Sequence, residues 1–256
     1  MRILIFFLLS LGLVCGYGIA ANFTEDFSKS KIGEDWVAVD EPAELLNDKG
    51  PSSWVINNGP INGGALNQSS NIWGDVGDVV ALGTFCIYDK MEWVNFDLSF
   101  EMLANDNDGT GFVWGWKDRT NHYRFFTMID AGNPGGAAGA EGDPGKAPWS
   151  LIEKRTGDKR PYYKTLKVVR EAAYQQGALT TFRVVVQDGK FQVYSNGDLI
   201  IEASDPSYAG GKIGFTLYAQ SGNFFDNIEL IDQGSAVEHN SKIVSTWGLL
   251  KSSIYK

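Results

Sequence analysis

Acidic and amide side chains are concentrated in the run Asn105-Asp106-Asn107-Asp108, which stands directly before a Gly-rich, aromatic stretch. Calcium takes its ligands from carboxylates, amides, backbone carbonyls and water, so this run could hold the ion. Aligned with an EF-hand loop, Asp106 and Asp108 fall at positions one and three, but Lys117 stands where the loop needs a bidentate Glu. The sequence therefore excludes an EF-hand. A calcium site of another kind and a simple polar turn, for which Asn, Asp and Gly are typical, both stay open.

Few residues indicate catalysis. The chain has two histidines, His122 and His239, and we predict that His122 is exposed because it follows a hairpin turn at Asn121. The sequence contains no Gly-x-Ser-x-Gly elbow, no His-Glu-x-x-His motif and no phosphate-binding loop. Glycoside cleavage needs only two suitably separated carboxylates. A glycan-processing hydrolase therefore stays open as the alternative to a non-catalytic binding protein.

Tryptophan and tyrosine rings are candidates for stacking on sugars. Trp114 and Trp116 alternate along one strand and are predicted to share a face, where a place in the core is favoured over a sugar platform. Tyr162 and Tyr163 lie beside a basic stretch and are predicted to be exposed. We therefore take Asn105, Tyr162 and Tyr163 as the candidate ligand-binding residues.

Residues 1–20 are typical of a secretory signal peptide. Met1-Arg2 supplies a positive start, and Ile3–Val14 is an apolar run too short to span a bilayer comfortably. Gly18-Ile19-Ala20 provides small residues for cleavage before Ala21. The mature protein is therefore predicted to be secreted and extracellular, or periplasmic in a bacterium, with no membrane insertion after cleavage.

The mature chain is acidic and holds a single cysteine. The formal net charge is −9 for the whole sequence, and it becomes one unit more negative when Arg2 leaves with the signal. Such a surface argues against nucleic acid and anionic membrane as partners and suits cations. Cys86 stands in an apolar stretch and has no partner for an intrachain disulfide, so we predict that it is a small buried side chain.

The organisation of the chain is typical of an all-β protein. It holds 30 glycines, and short alternating segments recur between turn signals. Asp188-Gly189 and Asn196-Gly197 are strong hairpin turns. The predicted strands include Phe96–Met102, Thr181–Val186, Lys190–Tyr194, Asp198–Ala203, Gly211–Gln220 and Asn223–Leu230. This pattern predicts an antiparallel β-sandwich or jelly roll.

One domain is expected over residues 21–232, since a chain of this length can bury one large core. The Gly-, Pro- and Ala-rich segment 131–148 is predicted to be a long surface loop, either a tolerated insertion or the rim of a site. The tail 233–256 contains an amphipathic segment, Ile243–Tyr255, with apolar residues near helical spacing. The tail could dock on the domain, form a short free helix or bind another protein.

Four segments carry a family resemblance when they are taken in order: Met91–Asp97, Asn107–Asp118, Tyr208–Phe215 and Phe224–Ile228. Together they resemble the C-terminal lectin-like domain of thrombospondins, which belongs with the concanavalin A-like and laminin-G-like sandwiches. The resemblance covers nearly all of the mature chain, from Phe23 to Asp232. The family's calcium repeats and the disulfide partner of its cysteine are missing here, so the receptor roles of thrombospondins do not transfer.

The resemblance implies calcium as the cofactor, bound at loops on one edge of the sandwich, with Asp106 and Asp108 as ligands. In related sandwiches an acid near the first strand and one in the last strand share a structural calcium, which here implies Asp26 and Asp226. It also implies a non-catalytic, lectin-like adhesion or matrix-binding protein, whose partner is a carbohydrate or an extracellular matrix or cell-surface ligand. A related branch of keto-disaccharide hydrolases keeps the enzyme alternative open.

Overall fold

A computed structural model describes most of the predicted mature domain. The described residues are 22–29, 31–47, 50–58, 61, 63–74, 82–131, 140–141 and 145–234. The predicted signal peptide, most of the 131–148 segment and the tail beyond Gly234 lie outside them, so secretion, the surface loop and the role of the tail stay predictions. Within the described residues, no helix is long and apolar enough to cross a membrane.

The described residues form β-strands and one short 3-10 turn, Ala43–Leu45. The strands are β1 Phe23–Glu25, β2 Trp36–Asp40, β3 Trp54–Asn57, β4 Ala65–Gln68, β5 Thr84–Trp93, β6 Phe96–Ala104, β7 Gly109–Asp118, β8 Asn121–Met128, β9 Ala140–Glu141, β10 Trp149–Arg155, β11 Tyr163–Val169, β12 Leu179–Gln187, β13 Lys190–Ser195, β14 Asp198–Ser204, β15 Gly211–Tyr218 and β16 Asn223–Asp232. Every strand predicted from the sequence coincides with one of these, to within two residues at the ends.

The strands are divided between two sheets. In the first sheet the order is β14-β13-β12-β6-β16-β4-β3, and β1 also pairs with β16. In the second sheet the order is β2-β5-β15-β7-β8-β10-β11-β9. Neighbouring strands are antiparallel, with β9 and β11 as a parallel pair. The predicted all-β, antiparallel sandwich is confirmed.

The two predicted hairpin turns have the backbone that their residues favour. Asp188 and Gly189 have φ angles of 49° and 74°, and Asn196 and Gly197 have φ angles of 49° and 93°. Two successive residues with positive φ match the right-handed twist of the flanking strands, and Asn-Gly and Asp-Gly adopt that backbone at low strain. The turns therefore fix the register of β12, β13 and β14.

Phenylalanine rings join the two sheets at the centre of the sandwich. Phe225 of the first sheet stacks on Phe215 of the second, with ring centroids 3.9 Å apart. Phe100 and Phe112 make a second such pair across the interface at 5.6 Å. Each fully buried phenylalanine side chain contributes about 1.5–3 kcal/mol to stability. The packing of these four rings fixes the second sheet against the first, and thereby fixes the positions of the residues on the far face of the second sheet.

The tryptophans of β7 lie on opposite faces of the second sheet. Trp114 packs between the sheets, whereas Trp116 packs on the far side with Phe85. Gly115, between them, has a φ of 58°, and the pairing of β7 with β8 shifts after Trp114. The prediction that both share one face is wrong, because this irregularity breaks the alternation. The prediction that they belong to the core is confirmed.

Cys86 packs in the core between the sheets and is fully buried. Burial raises the pKa of its thiol, because the charged thiolate loses solvation there. The side chain therefore stays protonated and serves as a small apolar group, as predicted from its apolar neighbours.

Candidate functional site

The face of the second sheet that points away from the first sheet carries a group of buried polar side chains. On β8, Tyr123 and Phe125 point into the core between the sheets, so the alternating residues His122 and Arg124 point the other way. On β10, Glu153 lies directly opposite Arg124 in the antiparallel pairing. Arg155 of β10 and Tyr163 of β11 are likewise directly opposite each other. Five side chains therefore share this face, and we call them the His122 cluster: His122, Arg124, Glu153, Arg155 and Tyr163.

Arg124 and Glu153 form a fully buried ion pair. Nε and Nη2 of Arg124 donate to Oε2 of Glu153 at 2.9 and 2.7 Å. The hydroxyl of Thr165 donates to the other carboxylate oxygen at 3.2 Å. The guanidinium carbon of Arg124 lies 3.7 Å from the ring centroid of Tyr163 and 4.3 Å from that of Phe126. Cation–π contacts of this kind stabilise a desolvated guanidinium.

Arg155 makes a second buried ion pair, with Glu41 from the segment after β2. Nη1 and Nη2 of Arg155 donate to the two oxygens of Glu41 at 2.9 and 3.3 Å. Arg119 donates to Glu41 at 2.6 Å and contacts Asp158 at 2.6 Å. Nε of Arg155 donates to the carbonyl of Gly157 at 2.9 Å. Since each buried charge faces an opposite charge, the positions of both arginines are fixed.

His122 lies between two aromatic rings and bonds through both ring nitrogens. Its centroid is 4.7 Å from that of Trp116 and 5.3 Å from that of Phe85. Nδ1 is 3.3 Å from the carbonyl oxygen of Asp118, and Nε2 is 3.2 Å from the hydroxyl of Tyr163. A carbonyl can only accept, so Nδ1 carries the proton and Nε2 accepts from the Tyr163 hydroxyl. The basic nitrogen of the imidazole is thus the one that faces Tyr163.

The electrostatics of the cluster keep His122 neutral. Burial, together with the nearby charges of Arg155 and Arg124, holds the pKa of His122 well below its ordinary value. Burial also raises the pKa of the Tyr163 hydroxyl. At neutral pH the site therefore offers a neutral proton acceptor, a protonated phenol and two fixed positive charges. A neutral imidazole can accept a proton, and the two guanidinium groups can stabilise a negative charge that develops nearby.

Two leucines pack over this face. Leu45, at the end of the 3-10 turn, and Leu82 contact Tyr162 and Tyr163. We call Leu45 and Leu82 the roof. A backbone bridge between Leu46 and Gly74 joins the segments on either side of it. The polar cluster is therefore enclosed between the sheet and these segments.

A second polar region lies in the loop between β6 and β7, and we call Asn105–Asp108 the acidic edge loop. The hydroxyl of Tyr174 donates to the carbonyl of Asp108 at 2.7 Å, and Nε2 of Gln220 donates to the carbonyl of Asp106 at 2.9 Å. The carbonyl of Asn105 accepts from Gln176 at 2.7 Å. The loop is therefore anchored from two sides through its backbone.

The carboxylate of Asp108 has no hydrogen-bond donor among the described residues. Burial, then the charges of Asp106 and Asp130, raise its pKa to about 7. The carboxylate of Asp106 accepts from the backbone of Asn107 at 3.0 Å and from the hydroxyl of Ser221 at 3.3 Å. The structure thus brings together the two predicted ligands, Asp106 and Asp108.

The other predicted pair, Asp26 and Asp226, is also close enough to interact. Asp226 is 1% exposed, and its Oδ1 has no hydrogen-bond partner within the part of the chain that the structure describes. Burial, with the charges of Glu101 and Asp26, raises the pKa of Asp226 to about 6. Asp26 itself is exposed, and its hydrogen bonds with Ser28 lower its pKa. Across the described part of the chain, no group of three or more His, Cys, Asp or Glu residues is arranged as a metal site.

A family model described as 3-keto-alpha-glucoside-1,2-lyase-like domain matches residues 41–231, about three quarters of the chain. The chain belongs to this family. The matched region begins at Glu41, the partner of Arg155, and contains the whole His122 cluster. No curated protein matches the sequence.

Solved structures similar to this lyase-like domain share its fold at low identity. One is a protein of unknown function with a galectin-like fold from Bacillus subtilis, at 9% identity and a TM-score of 0.53, covering 82% of this chain and 94% of that one. Another is the carbohydrate-binding module CBM66 from Bacillus subtilis, at 12% identity and 0.51, covering 77% and 96%. A GH43 protein from Bacillus licheniformis matches at 14% identity and 0.50, with coverage of 82% of this chain and 39% of that one.

The resemblance to the C-terminal domain of thrombospondins is wrong, since the family match identifies the lyase-like domain instead. The motifs behind it are core strands. Phe112, Phe215 and Phe225, which carry three of the quoted segments, fill the space between the sheets. Any sandwich of this fold needs large apolar residues there, so these segments report the fold and not the family.

The predicted exposure of Tyr162 and Tyr163 is wrong. They are 7% and 0% exposed, because they lie under the roof beside the guanidinium of Arg155. They are also separated from Asn105 by the length of β7, so the three candidate ligand-binding residues do not form one site. The predicted exposure of His122 is wrong as well, because the turn is at Arg119 and Thr120 and His122 already lies in the sheet.

The sequence contains a weak indication of the His122 cluster, in the form of polar residues that alternate along two strands. His122-Tyr-Arg124 and Glu153-Lys-Arg155 each place two polar residues on one strand face. Charged residues that alternate within otherwise apolar strands indicate a polar site on that face. The sequence alone did not reveal that β8, β10 and β11 are neighbours, and that pairing is what assembles the cluster.

Proposed function

We propose that this domain binds a 3-keto-α-glucoside at the His122 cluster and cleaves it by β-elimination. The family description supports the substrate class and the reaction type. The shared fold of the carbohydrate-binding module is in keeping with a sugar ligand. The observation that carries the proposal is the arrangement of His122, whose unprotonated Nε2 faces the Tyr163 hydroxyl next to two fixed arginines.

The reaction follows from the acidity of a C–H bond beside a ketone. Nε2 of His122 removes the proton from C2, and the electron pair moves toward the C3 carbonyl oxygen. Arg124 and Arg155 stabilise the negative charge that develops on that oxygen. The enolate then re-forms the ketone, makes the C1–C2 double bond and breaks the bond from C1 to the glycosidic oxygen.

Proton transfer to the leaving group completes the cycle. In the bound state the C2 hydrogen takes the place of the Tyr163 hydroxyl at Nε2 of His122, which frees that hydroxyl to donate to the departing oxygen. The proton taken by His122 then returns to Tyr163. The products are an unsaturated ketone and a free alcohol, and the cluster regains its starting protonation.

Substrate access requires the roof to open. The members of the cluster are buried, and Leu45 and Leu82 cover Tyr163. A sugar that reaches His122 must therefore displace these side chains. Once the two leucines pack again over the bound sugar, they exclude water during the reaction.

The test uses p-nitrophenyl 3-keto-α-glucoside, with p-nitrophenyl α-glucoside as the unoxidised control. We expect release of p-nitrophenol from the keto sugar alone, because only the ketone acidifies C2. His122→Gln should reduce the rate by about 10²–10⁴-fold, as expected for loss of a general base. Lys164→Gln, at an exposed position next to Tyr163, is the matched control and should keep the rate.

Two results would contradict the proposal. Equal turnover of the unoxidised glucoside would show an ordinary glycosidase reaction, and full activity of a folded His122→Gln variant would remove His122 as the base. Calorimetric binding of the keto sugar without turnover would favour the second candidate, a non-catalytic carbohydrate-binding protein. Adhesion or matrix binding would be tested next in that case.

A further inference from the structure

We propose that the acidic edge loop binds a divalent cation of the calcium class, held by the carboxylates of Asp106 and Asp108 and by the side-chain oxygen of Gln220. The site lies away from the His122 cluster, at the start of β7, and does not depend on the proposed reaction. Three features of the described residues carry it: a fixed loop backbone, a carboxylate without a donor, and a buried amide oxygen without a partner.

The loop backbone is held in place before any ion binds. Its carbonyls accept from Tyr174 and Gln220, and the carbonyl of Asn107 accepts from the backbone of Ile129 and Asp130 at 3.0 and 2.9 Å. A loop that is already ordered loses little conformational entropy when it binds a ligand. The acidic side chains are therefore presented from a rigid support.

The negative charge of the acidic edge loop is not compensated by any residue that the structure describes. Among the described residues, no lysine or arginine forms an ion pair with Asp106 or Asp108, and no donor reaches the carboxylate of Asp108. A partly buried carboxylate next to a second one is unfavourable unless a cation or a proton neutralises it.

Gln220 provides the independent sign of a ligand. The side chain is 1% exposed, and no donor among the described residues reaches its Oε1. Its orientation is fixed, because the carbonyl of Asp106 only accepts and must therefore face Nε2. A buried amide oxygen without a donor is destabilising, and it lies next to the acidic edge loop. A bound cation would satisfy this oxygen and both carboxylates at once.

The donor types favour calcium over zinc. Every candidate ligand is an oxygen, and neither His nor Cys is among them, whereas protein zinc sites favour nitrogen and sulfur. Calcium accepts carboxylates, amide oxygens and waters in flexible geometry. Water would fill the remaining positions, since the loop is half-exposed at Asp106 and Asp108.

The experiment is thermal unfolding of the full mature chain in excess calcium and in excess chelator. With calcium at a hundredfold excess over its Kd, we expect the melting temperature to rise by roughly 5–10 °C, because only the folded state binds the ion. Asp108→Asn should abolish the rise. In chelator this variant should melt at least as high as the wild type, since the repulsion with Asp106 is gone. Gln220→Met, which removes the oxygen at similar size, should reduce the rise.

Asp198→Asn, an exposed acid at the start of β14, is the matched control and should keep the full rise. An unchanged melting temperature of the wild type in calcium would overturn the proposal. A rise that persists in Asp108→Asn but is lost in Asp226→Asn would also overturn it, because the ion would then be at the other acid pair. The readout is melting and not turnover, so failure of the proposed reaction leaves this result unaffected.

Discussion

The His122 cluster and the acidic edge loop differ in whether their charged side chains have partners of opposite charge. In the cluster and its surroundings, Arg124 faces Glu153 and Arg155 faces Glu41, each at hydrogen-bond distance. In the acidic edge loop, the charge of Asp106 raises the pKa of Asp108, and no lysine or arginine among the described residues forms an ion pair with either carboxylate. The charges of the first region are compensated within the protein, whereas the second has no partner of opposite charge in the described ranges of the chain.

The difference indicates what each region can do. Charges that are compensated and hydrogen-bonded do not reorganise, so they are suited to act on a substrate at fixed positions. Carboxylates without a counter-charge are stabilised when they bind a proton or a metal ion. Both regions are polar and partly or fully buried, yet only the second is expected to respond to calcium.

Removing one charge from the compensated region should have the largest effect on stability. Glu153→Gln leaves the guanidinium of Arg124 buried without its counter-charge, and the loss should be about 3–5 kcal/mol of the free energy of unfolding. Urea unfolding measures it, with an unchanged m-value as the sign that the folded state keeps its compactness.

The double variant Glu153→Gln with Arg124→Met is the control for that loss. Replacing both members of a buried ion pair by uncharged groups is often nearly neutral for stability. The double variant should therefore recover much of the free energy lost in the single variant. A loss below about 1 kcal/mol in the single variant would mean that the pair is not the compensated unit described here.

Asp108 of the acidic edge loop should make the free energy of unfolding depend on pH. In chelator, the pKa of Asp108 is about 7 in the folded state against 3.8 as its ordinary value. Between these values the folded state binds more protons than the unfolded state, so the free energy of unfolding falls as the pH rises through that window. Asp108→Asn should flatten this decline, and calcium should oppose it in the wild type.

Chemical denaturation at several pH values measures this effect, with Asp198→Asn as the control that should keep the wild-type slope. A wild-type free energy of unfolding that rises between pH 4 and 7 in chelator, with the same slope in Asp108→Asn, would contradict the assignment. The predicted effect is smaller than that of Glu153→Gln because Asp108 is partly solvated.

The fold was predictable because its determinants are local. Asp188-Gly189 and Asn196-Gly197 specify hairpins through their own backbone preferences, and the alternation in Phe96–Met102 specifies a strand with one buried face. The error at Trp114 and Trp116 has a local cause too. Gly115 permits a positive φ, but whether a glycine uses it depends on the neighbouring strands.

The His122 cluster was not predictable in the same way. His122 and Glu153 come from β8 and β10, and Glu41 lies far from both in the sequence, so only the order of the strands in the second sheet brings them together. No motif of fixed spacing joins them. The acidic edge loop, by contrast, is contiguous, and its pairing of Asp106 with Asp108 was visible from the sequence, while the contribution of Gln220 was not.

An exposed ion pair supplies the lower reference for these effects. Arg183 donates to the carboxylate of Asp97 through Nε at 2.7 Å and Nη2 at 2.5 Å, and the side chain of Arg183 is 50% exposed. Both pairs use Nε and Nη2 of the arginine, although Arg183 donates to both oxygens of Asp97 whereas these two atoms of Arg124 donate to Oε2 of Glu153. The larger difference between the pairs is burial, since Arg124 and Glu153 are fully buried. Arg183→Ala should reduce the free energy of unfolding by less than about 1 kcal/mol, and added salt should lessen the difference from the wild type. Urea unfolding could instead give a loss for Arg183→Ala as large as that of Glu153→Gln. Burial would then not be the reason for the large effect expected in the His122 cluster.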